Sequence, residues 1–312
     1  MQGNIQQEKI MKAIGTHSGG HHADDAIGCA VLHALHPTAT IVRSRDRSVW
    51  ATCDALVDVG GEYDAVTNRF DHHQKGFSER RENGIPYAGA GLVWSSYGAA
   101  YVQNFHPEMS LSQAQRLADD IDARLIQFVD AVDTGIDVPG PDDFGLSGIL
   151  DTLNPTWVDD GSQADARFAE AMALAGIVLR NLVRKVAAEH AAEAVIACAY
   201  SHADGRILVL DKPRVPYDKV VSEKMPDVLF VVYPDSNGDG QYQVRVVPKT
   251  IGKFEARADL PAEWAGLLDV ALAKVTGVPD AVFCHNARFI CGARSRIGAL
   301  TLAEKALAAV LA

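Results

Sequence analysis

The sequence has few cysteines, and none of them is arranged for a disulfide framework or a thiolate zinc site. The five cysteines (Cys29, Cys53, Cys198, Cys284 and Cys291) are odd in number and include no C-x-x-C pair. Secreted disulfide-rich folds and zinc ribbons use paired, closely spaced cysteines. We therefore expect a protein of a reducing compartment, the cytoplasm.

Long apolar segments are also missing. The longest apolar run, about residues 171–179, is far shorter than the roughly 20 residues that a membrane span needs. Residues 1–12 are polar and contain no apolar signal-peptide core. We expect no membrane partner. Hydrolase signatures built on a nucleophilic serine (G-x-S-x-G) or on H-E-x-x-H are absent as well, which argues against a serine hydrolase and a zinc peptidase of those types.

Positive charge is scarce. The 312 residues include 29 Lys+Arg against 40 Asp+Glu, a formal net charge of −11, which argues against a nucleic-acid scaffold with a broadly basic surface. An enzyme acting on phosphate esters is still allowed, because bound metal ions can reverse the local field. The imbalance is confined to residues 1–204, with 15 Lys+Arg against 28 Asp+Glu, whereas residues 205–312 have 14 against 12.

The apolar pattern divides the chain into two parts. In the first, predicted strands alternate with a helix and are followed by three helical segments: strands 13–16, 40–43 and 55–59, and helices 24–35, 88–104, 111–131 and 162–198. This alternation predicts a parallel sheet with covered faces. In the second, we predict strands 207–210, 228–233, 242–247 and 281–285 and a closing helix 298–311. The predicted fold is α/β, with an N-terminal parallel-sheet catalytic domain and helical segment (1–200) and a smaller C-terminal α+β substrate-binding domain (201–312).

A loop rich in histidine and aspartate follows the first predicted strand and opens the first helix. It contains His17, His22, Asp24 and Asp25. Neutral imidazoles and carboxylates on one loop can form the ligand shell of a divalent transition metal. The alternative is a polar loop in which Asp24 or Asp25 caps the helix. For Asp25, capping or support of a ligand and ligation itself both stay open.

Three more acidic or histidine motifs follow in order. Asp58 ends an apolar strand, at the edge of the sheet where α/β folds bind ligands, although it could be a turn former. In Asp71-His72-His73, one imidazole can bind metal, the other can donate to a phosphoryl oxygen, and Asp71 can orient an imidazole. Asp130 and Asp133 share a helix face near its C-terminus, where carboxylates are disfavoured unless a cation is nearby. The alternative for His72 and His73 is a hydrogen-bonded histidine pair at the surface, and the alternative for Asp130 and Asp133 is a solvated helix face.

Together these motifs resemble the DHH phosphoesterase superfamily, and most closely the melanocyte-proliferating-gene exonuclease family. The resemblance rests on H-x4-H-x-D at His17, on D-V-G-G-x-Y-D at Asp58, and on R-F-D-H-H-Q at Arg69. The second half adds V-P at Val247, a segment from Phe254 to Leu267, and H-x3-F-I-x-G at His285. The resemblance covers nearly the whole chain.

The resemblance implies two divalent metal ions, usually manganese, and two-metal hydrolysis of a phosphodiester. The implied ligands are His17, His22, Asp24, Asp58, His72 and Asp133, with Asp58 bridging the two ions. His73 would face the scissile phosphate, with Asp71 and Asp25 also in the catalytic group. The family's activity is 3′-to-5′ exonucleolytic cleavage of RNA. Three positions depart from the usual pattern: an imidazole replaces an acid in the first motif, which favours manganese over magnesium, His21 replaces an aromatic residue, and Ala293 replaces a glycine.

Basic residues cluster in the second part and predict contacts to the phosphate backbone of a substrate. The predicted substrate-binding residues are Arg245, Lys249, Arg257, His285, Arg288, Gly292 and Arg294. Ordinary solvated charge is the alternative for the basic residues, and a satisfied strand-end histidine is the alternative for His285. Trp264 and Phe254 fit a core better than a stacking platform for bases.

These observations predict a manganese-dependent phosphodiesterase that acts as a 3′-to-5′ exonuclease on RNA or short single-stranded oligonucleotides. Two alternatives stay open: a phosphatase or pyrophosphatase of small molecules, and a metal-bound binding protein without catalysis. The sequence leaves the oligomeric state open, with a dimer as one expectation.

Overall fold

The computed structural model describes residues 10–138, 145–253 and 255–312. The chain forms two compact units, which divide between Ala187 and Ala188. The division lies inside a long helix, Ala164–Ala197, whereas the sequence pattern placed it at residue 200. Each unit has its own apolar core and is described by itself.

The first unit contains five short strands and the helices that cover them. The strands are β1 (Ala13–Thr16), β2 (Thr40–Arg43), β3 (Ala55–Val57), β4 (Tyr63–Asp64) and β5 (Arg69–Phe70). The helices are α1 (Ala23–Leu35), α2 (Arg47–Trp50), α3 (Gly89–Phe105), α4 (Leu111–Ile121), α5 (Gln127–Asp133) and α6 (Leu146–Asp151), followed by α7 (Ala164–Ala197), which continues into the second unit.

The sheet of this unit has the strand order β2-β1-β3-β5-β4. Neighbouring strands are parallel except for the edge pair, in which β4 runs antiparallel to β5. The expected parallel arrangement is therefore confirmed for the three predicted strands, whereas the apolar pattern predicted neither β5 nor the antiparallel edge strand β4. Only residues 65–68 connect β4 to β5, and a link that short can join only antiparallel neighbours.

Strand direction determines where the sequence motifs meet. The carboxyl ends of parallel strands lie at one edge of a sheet. The loops after β1, β3 and β5 at that edge carry His17, Asp58 and Asp71, respectively. Below this edge, apolar residues of the strands pack on α1 and α3, and Gly28 of α1 lets the helix approach, because a Cβ there would lie 2.7 Å from Val57 Cγ1.

The predicted helix 111–131 is interrupted in the structure. Helix α4 begins at a capping box of Ser110 and Gln113. A π-helical segment, Asp122–Ile126, separates it from α5, which carries Asp133. Short π-helical insertions occur frequently beside functional sites, where they re-aim the following turn. Hydrophobic periodicity alone did not reveal the insertion.

The second unit is a six-stranded sheet with helices. Its strands are β6 (Tyr200–His202), β7 (Ile207–Val209), β8 (Phe230–Pro234), β9 (Tyr242–Val246), β10 (Ala281–Cys284) and β11 (Ile290–Ala293). Its helices are α8 (Asp218–Lys224), α9 (Asp269–Thr276) and α10 (Arg296–Leu311), with a 3-10 turn at Ala262–Trp264. The strand order is β10-β11-β9-β8-β7-β6, and only β7 and β8 are parallel. Trp264 is buried in the core, as the sequence pattern favoured, while Phe254 lies outside the described residues.

Among the described residues, no helix combines the length and the apolar character needed to cross a membrane.

Candidate metal centre

Asp58 lies between two imidazoles that come from different loops. Its Oδ2 is 3.4 Å from His17 Nε2, and its Oδ1 is 3.3 Å from His72 Nε2. Asp58 follows β3 with a left-handed backbone, φ 57°, which is strained for a non-glycine residue. Strain of this kind is concentrated at functional sites because the surrounding structure holds it in place. The side chain is thereby directed to the point where the loops after β1 and β5 meet.

The fourth motif joins the same cluster through Asp133 at the end of α5. Its Oδ2 lies 3.2 Å from His72 Nε2, and its Oδ1 lies 3.4 Å from His22 Nδ1. The π-helical segment Asp122–Ile126 immediately precedes α5, the helix that ends at Asp133. An acid at a helix C-terminus is thus placed beside two imidazoles, which offset its unfavourable position.

Three overlapping groups of ligand atoms form in the described part of the chain, each with all its atoms within 4.8 Å of one another. They are His17, His22 and Asp58; Asp58, His72 and His73; and His22, Asp24 and Asp133. The structure therefore brings together all six residues expected to bind metal. Asp58 belongs to two groups, as a residue between two ions would, and so does His22.

The donor atoms fit divalent cations. Among the described residues, several buried atoms of this cluster have no hydrogen-bond partner: both ring nitrogens of His17, Asp24 Oδ1, Asp58 Oδ1 and His72 Nε2. An unsatisfied buried polar group costs about 1–3 kcal/mol, which a bound cation would remove. Mixed imidazole and carboxylate donors suit manganese, zinc or iron better than magnesium, which favours oxygen donors.

Electrostatics in the cluster follow from its crowded carboxylates. Burial lowers the pKa of His17, but the carboxylates of Asp25 and Asp58 outweigh it and raise the pKa to about 9. Burial also lowers the pKa of His72, but Asp133 and Asp58 outweigh it and raise this pKa to about 10. Burial and the neighbouring carboxylates raise the pKa of Asp24 well above its ordinary value. Without a cation, protons balance this negative charge, so metal binding must displace them.

Asp24 is held by a glycine that the sequence analysis did not single out. The Gly89 N–H donates to Asp24 Oδ2 at 3.1 Å. A Cβ at position 89 would lie 2.9 Å from that oxygen, closer than real Cβ contacts. Two glycines at the start of α3, Gly89 and Gly91, are the sequence signal that could have indicated this close approach.

Asp25 supports the loop and stands outside the three ligand groups. Its Oδ1 accepts a hydrogen bond from the His22 N–H at 3.0 Å, at the N-terminus of α1. Its Oδ2 lies 3.1 Å from His17 Nε2. These contacts are compatible with capping of α1 and with support of the His17 imidazole.

The pair His73 and Asp71 has the geometry of an oriented proton donor. His73 Nδ1 lies 2.8 Å from Asp71 Oδ1, which also accepts from the His73 N–H at 3.1 Å. Asp71 Oδ2 accepts from the Gly61 N–H, so both carboxylate oxygens are engaged. The hydrogen bond to Asp71 is the main cause that raises the pKa of His73. The ring is 62% exposed, which leaves Nε2 available to a substrate.

Two residues whose roles were open take structural positions. His21 is buried; its Nε2 lies 3.0 Å from the Leu150 carbonyl oxygen and its ring stands edge-on to Phe168. Asp130 forms an ion pair with Arg81 at 2.8 Å and accepts from the Gly91 N–H at 2.9 Å. Neither residue belongs to a ligand group in the described ranges.

Most of the predicted basic contacts of the second unit are engaged within that unit. Lys249 pairs with Glu255, Arg288 with Asp259 at 2.9 Å, and Arg294 with Asp269 at 3.0 Å. Arg257 donates to the carbonyl oxygens of Met225 and Val228 at 2.7 and 2.9 Å. Arg245 has no carboxylate within ion-pair distance among the described residues.

The two remaining predicted contacts also have local explanations. His285 Nδ1 accepts from the Ala287 N–H at 3.0 Å, and its ring lies 4.5 Å from that of Phe289. Gly292 lies in β11, where a Cβ would approach Phe283 Cε1 to 2.8 Å. Packing between strands therefore accounts for the glycine.

Comparison with known proteins agrees with the motifs. Residues 13–307 match the family model MYG1_exonuc, described as "Uncharacterised protein family (UPF0160)". The chain is 35% identical to the MYG1 exonuclease of Homo sapiens over 325 residues, covering 95% of this chain and 85% of that protein. It is 32% identical to the MYG1 protein YER156C of Saccharomyces cerevisiae, covering 96% of this chain and 97% of that protein. The chain belongs to this family.

A solved structure, an exopolyphosphatase-related protein from Bacteroides fragilis, aligns over 96% of this chain and 92% of its own. Its identity is 14% and its TM-score is 0.23. A TM-score this low supports no argument.

Proposed function

We propose that this chain is a metal-dependent phosphodiesterase of the DHH type that removes nucleotides from the 3′ end of RNA or short single-stranded oligonucleotides. The observation that carries the proposal is the position of Asp58 between His17 and His72, with Asp133 also beside His72 Nε2. The name exonuclease carried by the mammalian relatives supports the reaction class.

Six residues would hold two divalent cations, and we expect manganese in preference to magnesium. These residues are His17, His22, Asp24, Asp58, His72 and Asp133. When bound, two such ions supply an activated water near neutral pH and stabilise charge on the attacking and leaving oxygens. Asp58 is the residue that would be shared by the two sites, because its two carboxylate oxygens face different imidazoles, those of His17 and His72.

The remaining chemistry belongs to His73 and its partner. Asp71 engages Nδ1 and stabilises the imidazolium, so that Nε2 can donate to a phosphoryl oxygen of the substrate. Such a donor adds positive charge where negative charge develops in the transition state. Asp25 keeps the His17 ring in place from the side of α1.

The test is a cleavage assay with labelled single-stranded oligoribonucleotides, with manganese or with EDTA. Asp58→Asn and His72→Ala should each reduce cleavage by at least about a hundredfold, since each removes a group that holds charge in the transition state. Asp64→Asn and His36→Ala, which change the same residue types outside the cluster, should cleave normally. Cleavage by Asp58→Asn at the parental rate would sink the assignment.

A small-molecule phosphatase is the second candidate, favoured by the cavity beside the cluster. Its volume is about 370 Å³, and its lining includes His22, Asp24, Asp133, Ser147 and Asp151. This is within the range for small-ligand sites. Comparing turnover of pyrophosphate, mononucleotides and five-nucleotide RNA distinguishes the two reactions. Bound metal with no hydrolysis of any of these would instead favour a non-catalytic binding protein.

We also propose a cytoplasmic location, which the five free thiols support because oxidising compartments favour disulfides. A dimer stays a prediction, which light scattering of the purified chain tests.

A further inference from the structure

Arg245 differs from the other predicted basic contacts of the second unit. Lys249, Arg288 and Arg294 are paired with carboxylates, and Arg257 binds backbone carbonyls. In the ranges that the structure describes, no carboxylate lies within ion-pair distance of the Arg245 guanidinium, which instead lies beside the hydroxyl of Tyr233. Its charge is therefore available to a ligand.

Arg245 lines a cavity of about 370 Å³ in the second unit. Tyr217, Tyr233, Gln243 and Arg214 line it as well. Cavities of about 300–1,000 Å³ with a few converging polar groups are typical of small-ligand sites. A neighbouring cavity of about 310 Å³, lined also by Lys253, shares Arg245.

Tyr217 supplies an independent observation that points to a ligand. It is 6% exposed, and its buried hydroxyl forms no hydrogen bond of normal geometry in the described part of the chain, although the Tyr233 side chain lies close to it. Burial raises its pKa, so the hydroxyl keeps its proton and can donate. An acceptor on a ligand would remove the cost of this unsatisfied group, about 1–3 kcal/mol.

Aromatic surface and a strained backbone accompany these donors. The rings of Tyr217 and Tyr233 lie 6.0 Å apart with an interplanar angle of 45°. Arg214 adopts a left-handed backbone with φ 57°, a conformation that costs free energy for a non-glycine residue. Strained residues of this kind are found preferentially at ligand sites.

The acids around the cavity form no ion pair with its guanidinium groups in the described ranges, although Asp218 lies close enough to raise the pKa of Arg245. Asp235 accepts hydrogen bonds from the Ser236 N–H at 2.6 Å and Asn237 Nδ2 at 3.0 Å, so it is used within its own turn. Asp218 is exposed to solvent at the start of α8. Neither forms an ion pair with Arg214 or Arg245 in the described ranges. A guanidinium with adjacent hydroxyl donors matches the oxygens of a phosphate.

We propose that Arg245, Tyr217 and Tyr233 bind the phosphate monoester of a nucleotide, with Arg214 at the edge of the cavity. The tyrosine rings and the Gln243 amide would contact the base, since bases stack on aromatic side chains. The choice of a nucleotide rests on the proposed function, whereas the phosphate site itself does not. The monoester has two sources, a free mononucleotide or the phosphorylated end of an oligonucleotide.

The experiment is binding by the full chain in EDTA, so that hydrolysis does not interfere. Calorimetry compares AMP, adenosine and inorganic phosphate, and fluorescence polarisation compares five-nucleotide RNA with a 5′-phosphate or a 5′-hydroxyl. AMP should bind about tenfold more tightly than adenosine, because a charge-assisted bidentate contact supplies about that factor.

Variants separate the site from general charge. Arg245→Gln should weaken AMP binding about tenfold, and Tyr217→Phe about threefold, since it removes only the hydroxyl. Arg206→Gln and Tyr242→Phe are the matched controls and should bind like the parental chain. If Tyr217→Phe does not fold, AMP binding by Arg245→Gln still tests the proposal, because Arg245 is exposed.

A preference for AMP alone supports a free nucleotide as ligand, and a preference for the 5′-phosphorylated RNA supports an oligonucleotide end. Equal binding of AMP and adenosine, or parental affinity in Arg245→Gln, would overturn the proposal. If every Asp58 and His72 variant kept manganese-dependent cleavage, the proposed function would be overturned instead, independently of these binding results.

Discussion

Asp58 Oδ1 lies 3.3 Å from His72 Nε2, although the two residues follow different strands of the sheet. The contact forms because β3 and β5 are parallel neighbours whose carboxyl ends share one edge. In the absence of a cation the pair behaves as an ion pair: His17 and His72 hold the pKa of Asp58 below its ordinary value against the opposing effect of burial.

The first prediction concerns stability and pH without metal. The pKa of His17 rises from 6.5 to about 9 and that of His72 from 6.5 to about 10. A raised folded-state pKa gives stability that is fully present below 6.5 and is lost as pH rises through the folded value. In EDTA, the Tm measured by calorimetry should therefore fall between pH 6.5 and about 10.

Manganese should reverse this trend, because cations compete with protons for the same atoms. The stabilisation that manganese provides should grow as pH rises from 6 to 8. His72→Ala should lose most of the manganese effect. An equal Tm increase at both pH values would contradict the ligand assignment.

The second prediction concerns Gly89. Gly89→Ala would place a Cβ 2.9 Å from Asp24 Oδ2 and 3.3 Å from Asp58 Cβ. We expect manganese affinity, measured by calorimetry, to fall at least about tenfold, because a displaced ligand loses its geometry. The matched control is Gly176→Ala in α7, where a new Cβ meets nothing within 4 Å. That change should leave affinity unaltered and stabilise the helix by up to about 1 kcal/mol. Parental metal affinity in Gly89→Ala would show that Asp24 is not held as described.

The third prediction concerns Arg81, which pairs with the half-buried Asp122 and the buried Asp130. Arg81→Met should lower the free energy of urea unfolding by about 3–5 kcal/mol at pH 8, since it leaves a buried charge without its partner. Burial already raises the pKa of Asp130 to about 7, and loss of Arg81 would raise it further. Protonation of Asp130 should then return part of the stability as pH falls towards 6.

The neighbouring change Arg80→Met is the control for this pair and should cost less than about 1 kcal/mol, because Arg80 is exposed. Adding Asp130→Asn to Arg81→Met should recover stability and abolish its pH dependence. A double variant no more stable than Arg81→Met would contradict the role of the ion pair.

The fourth prediction separates His73 from the metal ligands. His73→Gln and Asp71→Asn should lower the turnover number about a hundredfold, because they remove a donor and the group that orients it. Elemental analysis should still find the parental number of metal ions per chain. His72→Ala, one residue away, should lose metal as well as activity. Loss of metal in His73→Gln would make His73 a ligand and remove the donor role.

Much of the site could be predicted because its parts are local. Strand ends, a helix start and a helix end are visible in short apolar patterns, and a parallel sheet brings its carboxyl ends to one edge. The local pattern predicted that His17, Asp58 and His72 meet. It also indicated α1 within one residue of its observed start at Ala23.

Other features depended on contacts between distant segments. Asp130 and Asp133 are equivalent in sequence, but α5 turns Asp133 to the histidines while Asp130 faces Arg81, 49 residues away. The interruption by the π-helix and the need for Gly89 arise from the same packing. Hydrophobic periodicity carries no information on such pairs.

By itself, the sequence determined the set of candidate ligands, because imidazole and carboxylate side chains and the strand ends that carry them are properties of short segments. The tertiary structure alone decided which polar residues are paired within the protein and which are available to a ligand. It turned His21 inward towards Leu150, paired Arg288 and Arg294 with nearby acids, and left Arg245 beside a cavity. The physical reason is that a charge is available to a ligand only when no neighbour in space neutralises it, and neighbours in space are chosen by packing.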